Sequence, residues 1–102
     1  MIRNEKLLEQ YFKERSVNSI YKILPLYEEK NVNLESYIES LLFELDGLST
    51  CIDYNLSEFV TLVAVISKLQ NESQKKDNKL VVKREVFKAI DISKSISAKV
   101  VK

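Results

Sequence analysis

Asn55-Leu56-Ser57-Glu58-Phe59-Val60-Thr61-Leu62-Val63-Ala64-Val65-Ile66-Ser67-Lys68-Leu69 is the stretch that decides the fold. Its length exceeds that of a strand, and it contains neither glycine nor proline. Apolar residues recur at three and four but also fill the intervals, so they cover most of a helical circumference. Ser57, Thr61 and Lys68 keep a narrow polar strip. A helix apolar nearly all round packs at the centre of its domain. At its start, Asn55 and Glu58 are spaced as a capping box.

Working outward, the preceding segment repeats the helical signal. Leu34, Ile38, Leu41 and Leu45 follow 4-3-4 spacing, widened by Tyr37 and Leu42, and Asn33 stands at the cap position. Gly47 is expected as a left-handed C′ residue ending this helix near Asp46, with Leu48 folded over Phe43. Upstream, Leu7, Leu8, Tyr11 and Phe12 form a stripe over about residues 4–15. Ser16 is expected to cap a second helix carrying Val17, Ile20, Leu24 and Tyr27 on one face. Pro25 must kink or divide it. Downstream, residues 71–79 are wholly polar and predict an exposed loop. Val82, Val86, Ala89 and Ile90 then form another helical face. In the tail, Ile92, Ile96 and Val100 recur every fourth residue, yet the sequence also alternates, so helix and short strand both fit. The Ser and β-branched content there is poor for an isolated helix, and the tail is expected to need a packing partner.

The whole therefore reads as all-α: a compact bundle of four to five helices around a buried central helix at about 56–69, with a C-terminal tail helix or short strand. One domain is expected over residues 1–102, made of an acidic-centred core (1–70), a polar loop (71–79) and a basic C-terminal helix and tail (80–102). Only one glycine and one proline occur in 102 residues, which disfavours hairpin-rich β folds. Arg3, Glu5, Lys6 and Glu9 break up any secretory leader pattern near Met1, and the longest uncharged stretch, Phe59 to Ser67, is too short to span a bilayer. A cytoplasmic protein is expected.

Charge is segregated beneath a net +1. Residues 28–58 carry eight acids (Glu28, Glu29, Glu35, Glu39, Glu44, Asp46, Asp53, Glu58) against Lys30, a balance of −7. Residues 71–102 carry nine bases (Lys75, Lys76, Lys79, Lys83, Arg84, Lys88, Lys94, Lys99, Lys102) against Glu72, Asp77, Glu85 and Asp91, a balance of +5.

Catalytic chemistry finds little footing. Without histidine, neither a Ser-His-Asp nor a Cys-His arrangement can form, and no His-containing zinc site. A single glycine rules out glycine-rich phosphate loops. Cys51 stands alone near Asp53, which raises rather than lowers a thiol pKa, so a structural thiol is expected. Glu35, Glu39 and Asp46 share one stripe of their helix, which reads as a solvated acidic face; a carboxylate-metal enzyme is a third, weaker class. No catalytic residue, metal or cofactor is expected, and no small-molecule substrate is evident.

Binding remains. The expected role is a small non-enzymatic helical interaction protein, of adaptor, inhibitor or immunity type, acting through protein–protein contacts and self-associating. Ile23, Leu26 and Tyr27, around Pro25, are the candidate interface, and five tyrosines, all within residues 1–54, suit such surfaces. The alternative is a nucleic-acid-binding regulator or accessory subunit. It would use Lys75, Lys76, Lys79, Lys83, Arg84 and Lys88 as a phosphate or acidic-partner docking segment. Thirteen lysines against three arginines suit electrostatic docking better than base readout. Residues Ser16 to Leu24 locally resemble a helix-turn-helix recognition helix, with Ser16, Asn18, Ser19 and Lys22 as candidate readers. They depart from it in lacking a turn glycine, in Pro25, and in having Glu9 or Gln10 where a small residue belongs.

Overall fold

The computed structural model describes residues 7–49, 56–75 and 77–100. Among these the chain is helical almost throughout. Residues 7–10 begin a helix that passes into a π-helical segment, Tyr11–Arg15, and on into α1, Ser16–Tyr21. Lys22 interrupts the ladder, and α2 follows at Ile23–Glu28. Then come α3 (Leu34–Leu48), α4 (Leu56–Glu72) and α5 (Lys79–Val100). The all-α bundle is as the sequence predicts.

The long C-terminal helix organises the packing. α5 lies against the π-helical segment, α1, α2 and α4, whereas α3 packs on α4 and α2. The core is one cluster fed by every element: Phe12, Ile20, Ile23, Ile38, Leu45, Leu62, Ile66, Leu69, Val82, Val86 and Ile96 are fully buried. Each such large aliphatic or aromatic side chain contributes about 1.5–3 kcal/mol by leaving water.

Five expectations are corrected. Ser16 does not cap a new helix: the chain passes through it in α-helical geometry, its amide bonds the Tyr11 carbonyl, and it is buried. The helix widens to a π turn here instead of breaking, and the Phe12 carbonyl and Ser16 hydroxyl both meet Ser93 of α5. Gly47 is not left-handed; α3 continues through it to Leu48, and Phe43 stays 79% exposed without a cap contact. Asn33 stands at the α3 N-cap without a side-chain cap bond, and the Asn31 side chain instead accepts the Asn33 amide. The polar loop is shorter than residues 71–79, since α4 runs through Glu72 and α5 starts at Lys79. Finally, α4 supplies Phe59, Leu62, Val65, Ile66 and Leu69 to the core, but its opposite face is open: Val60 is 63% and Leu56 52% exposed. The capping role of Asn55 and the setting of Cys51 lie outside the described residues.

The tail resolves as helix, continuous with α5 to Val100. Its serines, unfavourable in isolation, become the joint. The buried Ser93 hydroxyl donates to the Phe12 carbonyl at 2.7 Å and lies 2.9 Å from Ser16 Oγ; the Ser97 hydroxyl donates to the Glu9 carbonyl at 2.9 Å. Small hydroxyls four residues apart let α5 approach the N-terminal helix closely while satisfying polar atoms at the contact.

α2 ends in a Schellman motif without glycine. The amides of Asn31 and Lys30 bond the carbonyls of Leu26 and Tyr27, and Lys30 takes φ 55°. Pro25 sits in the first turn of α2, where a missing N–H is cheapest.

Candidate functional site

Three surface features stand out, and each is built by helix periodicity. The first is a groove of about 520 Å³ between α3 and α4. Leu42 and Asp46 of α3 and Ser49 at its C-cap line it; on α4, Phe59, Val60, Val63, Ala64 and Ser67 do. Helical spacing also puts Glu35 and Glu39 on the α3 flank that carries Leu42 and Asp46. Of this acidic stripe, Asp46 lines the groove itself and Glu35 lines the cleft at the other end of α3. Antiparallel packing brings Glu35 to the far end, where its carboxylate accepts a hydrogen bond from the Gln74 amide at 3.1 Å. The α4 side has no charged lining residue. Lys68, the one base on α4, turns to Glu85 on α5 at 3.5 Å. The groove is thus lined by apolar and neutral side chains apart from Asp46, and the acidic stripe of α3 continues beyond it through Glu39 to Glu35.

The second feature is the outward ridge of α5. Leu80, Lys83, Arg84, Phe87, Lys88, Asp91 and Lys94 all fall on the side away from the buried residues, and all are exposed. Phe87 meets Tyr21 edge-on, with ring centroids 6.5 Å apart. Lys83, Lys88 and Lys94 have no acidic partner within ion-pair distance among the described residues, whereas Arg84 lies 3.3 Å from Glu85. Glu85 itself is only 3% exposed: Lys68 and Arg84 share one carboxylate oxygen, and the other has no partner among the described residues.

The third is a cleft of about 720 Å³ between the α2–α3 and α4–α5 connections. It is cross-braced by Tyr27, whose hydroxyl accepts the Asn78 amide at 3.0 Å and lies 3.4 Å from the Lys75 carbonyl. Its charges neutralise one another: Lys79 pairs with Glu28 at 3.2 Å, and Lys75 with Glu72 at 3.1 Å. Hydrogen bonds from Asn78 and Lys75 hold the Glu72 carboxyl below the ordinary carboxylate range.

These positions redistribute the residues singled out from sequence. Lys75 and Lys79 brace the cleft, Arg84 serves Glu85, and only Lys83 and Lys88 are free on the ridge; Lys76 lies outside the described residues. The five that are described do not form one patch. Lys94 belongs with the free pair, and its i+11 spacing from Lys83 was the available signal. The recognition-helix reading is corrected: no turn precedes Ser16, Ser16 is buried against Ser93, and the Ser19 carbonyl accepts the Tyr37 hydroxyl at 2.7 Å. Asn18 and Lys22 are exposed, but Asn18 stands on an ordinary helix of the bundle and Lys22 on the turn that ends it. The Ile23, Leu26 and Tyr27 interface is corrected too, since Ile23 is fully buried, Leu26 and Tyr27 pack against the core, and Tyr27 is tied to the α4–α5 connection.

Glu44, unremarked in the sequence beyond its charge, anchors the N-terminal helix to α3. It accepts the Tyr11 hydroxyl at 2.5 Å and lies 3.5 Å from Arg15. Burial and that bond push the Tyr11 phenol far above its ordinary value; burial raises Tyr37 as well.

Chemically, the arrangement offers surfaces. Among the described residues no group of three potential metal-ligating side chains converges, and no helix is long and apolar enough to cross a membrane. The class defined is an all-α bundle with an apolar groove beside an acidic stripe, and a basic ridge. No family model matches the chain, and neither a curated protein nor a solved structure matches it.

Proposed function

We propose that this chain is a non-enzymatic helical interaction protein, of adaptor, inhibitor or immunity type, that works through protein–protein contacts and self-associates. The observation that carries the reading is the groove between α3 and α4, lined on α4 by Phe59, Val60, Val63 and Ala64, where Val60 leaves the helix face apolar and open. An apolar face of this kind gains free energy when a partner excludes water from it, at about 25 cal/mol per Å². Clustered exposed apolar side chains rimmed by charge mark contact surfaces more often than scattered ones do. The groove replaces the Ile23–Tyr27 region as the interface. A cytoplasmic location fits this role.

Sedimentation across low to high micromolar concentration tests the reading. Association is expected in the parent protein, and Val60→Glu is expected to weaken it at least tenfold with little change in melting temperature. A strictly monomeric parent protein refutes self-association.

A second reading rests on the unpaired Lys83, Lys88 and Lys94: a regulator or accessory subunit whose α5 ridge contacts nucleic-acid phosphates. Its affinity for duplex or single-stranded oligonucleotides would fall steeply with salt. No binding at low salt removes it.

A further inference from the structure

The groove and the ridge are complementary to one another, although on a single molecule they lie on different helices. We infer that the occupant of the α3/α4 groove is the α5 ridge of a second copy of this chain, so that copies join head to tail. The inference rests on the self-association proposed above and names its geometry.

Three observations support it. Charge is matched in sign and in length: the acidic stripe of α3 runs from Glu35 through Glu39 to Asp46, which lines the groove, and Lys83 and Lys94 stand on one line of α5, with Lys88 on the far flank of the ridge and Asp91 between. Both rows span eleven residues, or about 16 Å of helix at 1.5 Å per residue. Apolar content is matched as well. Leu80 and Phe87, 83% and 43% exposed, stand seven residues apart on the ridge, and Val60, Val63 and Ala64 offer apolar surface along the groove's neutral wall. A single helix carrying apolar anchors at i and i+7 is the shape that enters a groove between two helices. Finally, the competing internal contacts are already made elsewhere. Lys68 is turned to Glu85, Lys79 to Glu28 and Lys75 to Glu72, so no described base neutralises the acidic stripe of α3. A groove-to-groove pairing would instead bring the acidic stripes of two copies together, which costs free energy.

Because ridge and groove are different surfaces, the interface is heterologous. It grows into a ring or an open chain instead of stopping at a symmetric dimer. Two variants separate the outcomes. Val60→Glu blocks the groove and leaves the ridge intact. Leu80→Glu with Lys83→Glu blocks the ridge and leaves the groove intact, on exposed positions in the first two turns of α5. Circular dichroism melts verify that both fold. The parent protein should grow beyond dimer mass with concentration and shrink as salt rises. Each variant alone should be monomeric, with association at least tenfold weaker. Their equimolar mixture should form a one-to-one heterodimer and nothing larger, since one interface is intact and the other sets acid against acid. A parent that stops at dimer, loses it with Val60→Glu and keeps it with the ridge variant overturns the inference while leaving self-association standing. A monomeric parent overturns both. A ridge that binds duplex oligonucleotide while the parent does not grow beyond dimer also overturns it.

Discussion

Replacing Gly47 with alanine separates two accounts of the same residue. If Gly47 were the left-handed residue that its position after a hydrophobic helix suggests, a Cβ would strain the backbone by about 1–2 kcal/mol. In the structure it has no positive φ and lies inside the last turn of α3, and a Cβ built there meets nothing within 4 Å. The only terms left are then backbone ones. Alanine restricts the unfolded chain and has the higher helix propensity, together a gain of about 0.5–1 kcal/mol. For a domain near one hundred residues, this corresponds to a rise in melting temperature of about 2–8 °C. The assay is urea denaturation followed by helical circular dichroism, with a thermal melt alongside. Because the substitution is exposed and touches no other side chain, the urea slope should not change. A loss of about 1 kcal/mol or more would refute the helical placement and restore the left-handed cap. No change at all would mean that the end of α3 is already frayed.

Other substitutions test other joints. Ser93→Ala removes the buried hydroxyl shared by the Phe12 carbonyl and Ser16, and should cost about 1–3 kcal/mol; adding Ser16→Ala should cost less than the two singles summed, and a loss below about 0.5 kcal/mol for Ser93→Ala would sink this view of the joint. Lys30→Gly relieves a left-handed lysine worth about 1–2 kcal/mol but adds about 0.5–1 kcal/mol of unfolded-chain freedom, so a small net gain is expected in denaturant melts, with none for Lys30→Ala. Tyr11 titrates above its ordinary value in the folded state, so its contribution is fully present below the unfolded tyrosine pKa of about 10 and is lost as pH rises beyond it. Stability should therefore fall above that pH, and Tyr11→Phe should flatten the fall, leaving a smaller slope in which Tyr37 shares; an unchanged slope in pH-dependent denaturation would contradict the burial of Tyr11.

Legibility followed the range of the forces involved. The positions Leu34, Ile38, Leu41 and Leu45 all became core, because apolar spacing along one helix is a local property that burial then exploits. Pro25 did divide its helix, since its missing donor acts wherever it is placed. Ser16 misled because a hydroxyl before an apolar run is a cap only when water, not another helix, lies beyond it. Here Ser93, seventy-seven residues later, supplies the partner. The basic segment dissolved for a similar reason. Lys75 and Lys79 look equivalent to Lys83 in sequence, but Glu72 and Glu28 sit within reach of the first two only.

By itself, the sequence determined the helical class, the apolar stripe of each helix, the exclusion of histidine chemistry and the separation of acid from base. These follow from covalent identity and from periods of three and four residues, which need no knowledge of what packs where. Tertiary structure alone decided that the serine-rich tail is a helix, that α5 rather than α4 touches nearly every other element, and that an apolar side of α4 stays open beside the acidic stripe of α3. The physical reason is that a helix with apolar residues all round does not say which of them its neighbours will cover. That choice belongs to the summed packing of all the helices. Here it left Leu56, Val60 and Ala64 facing outward.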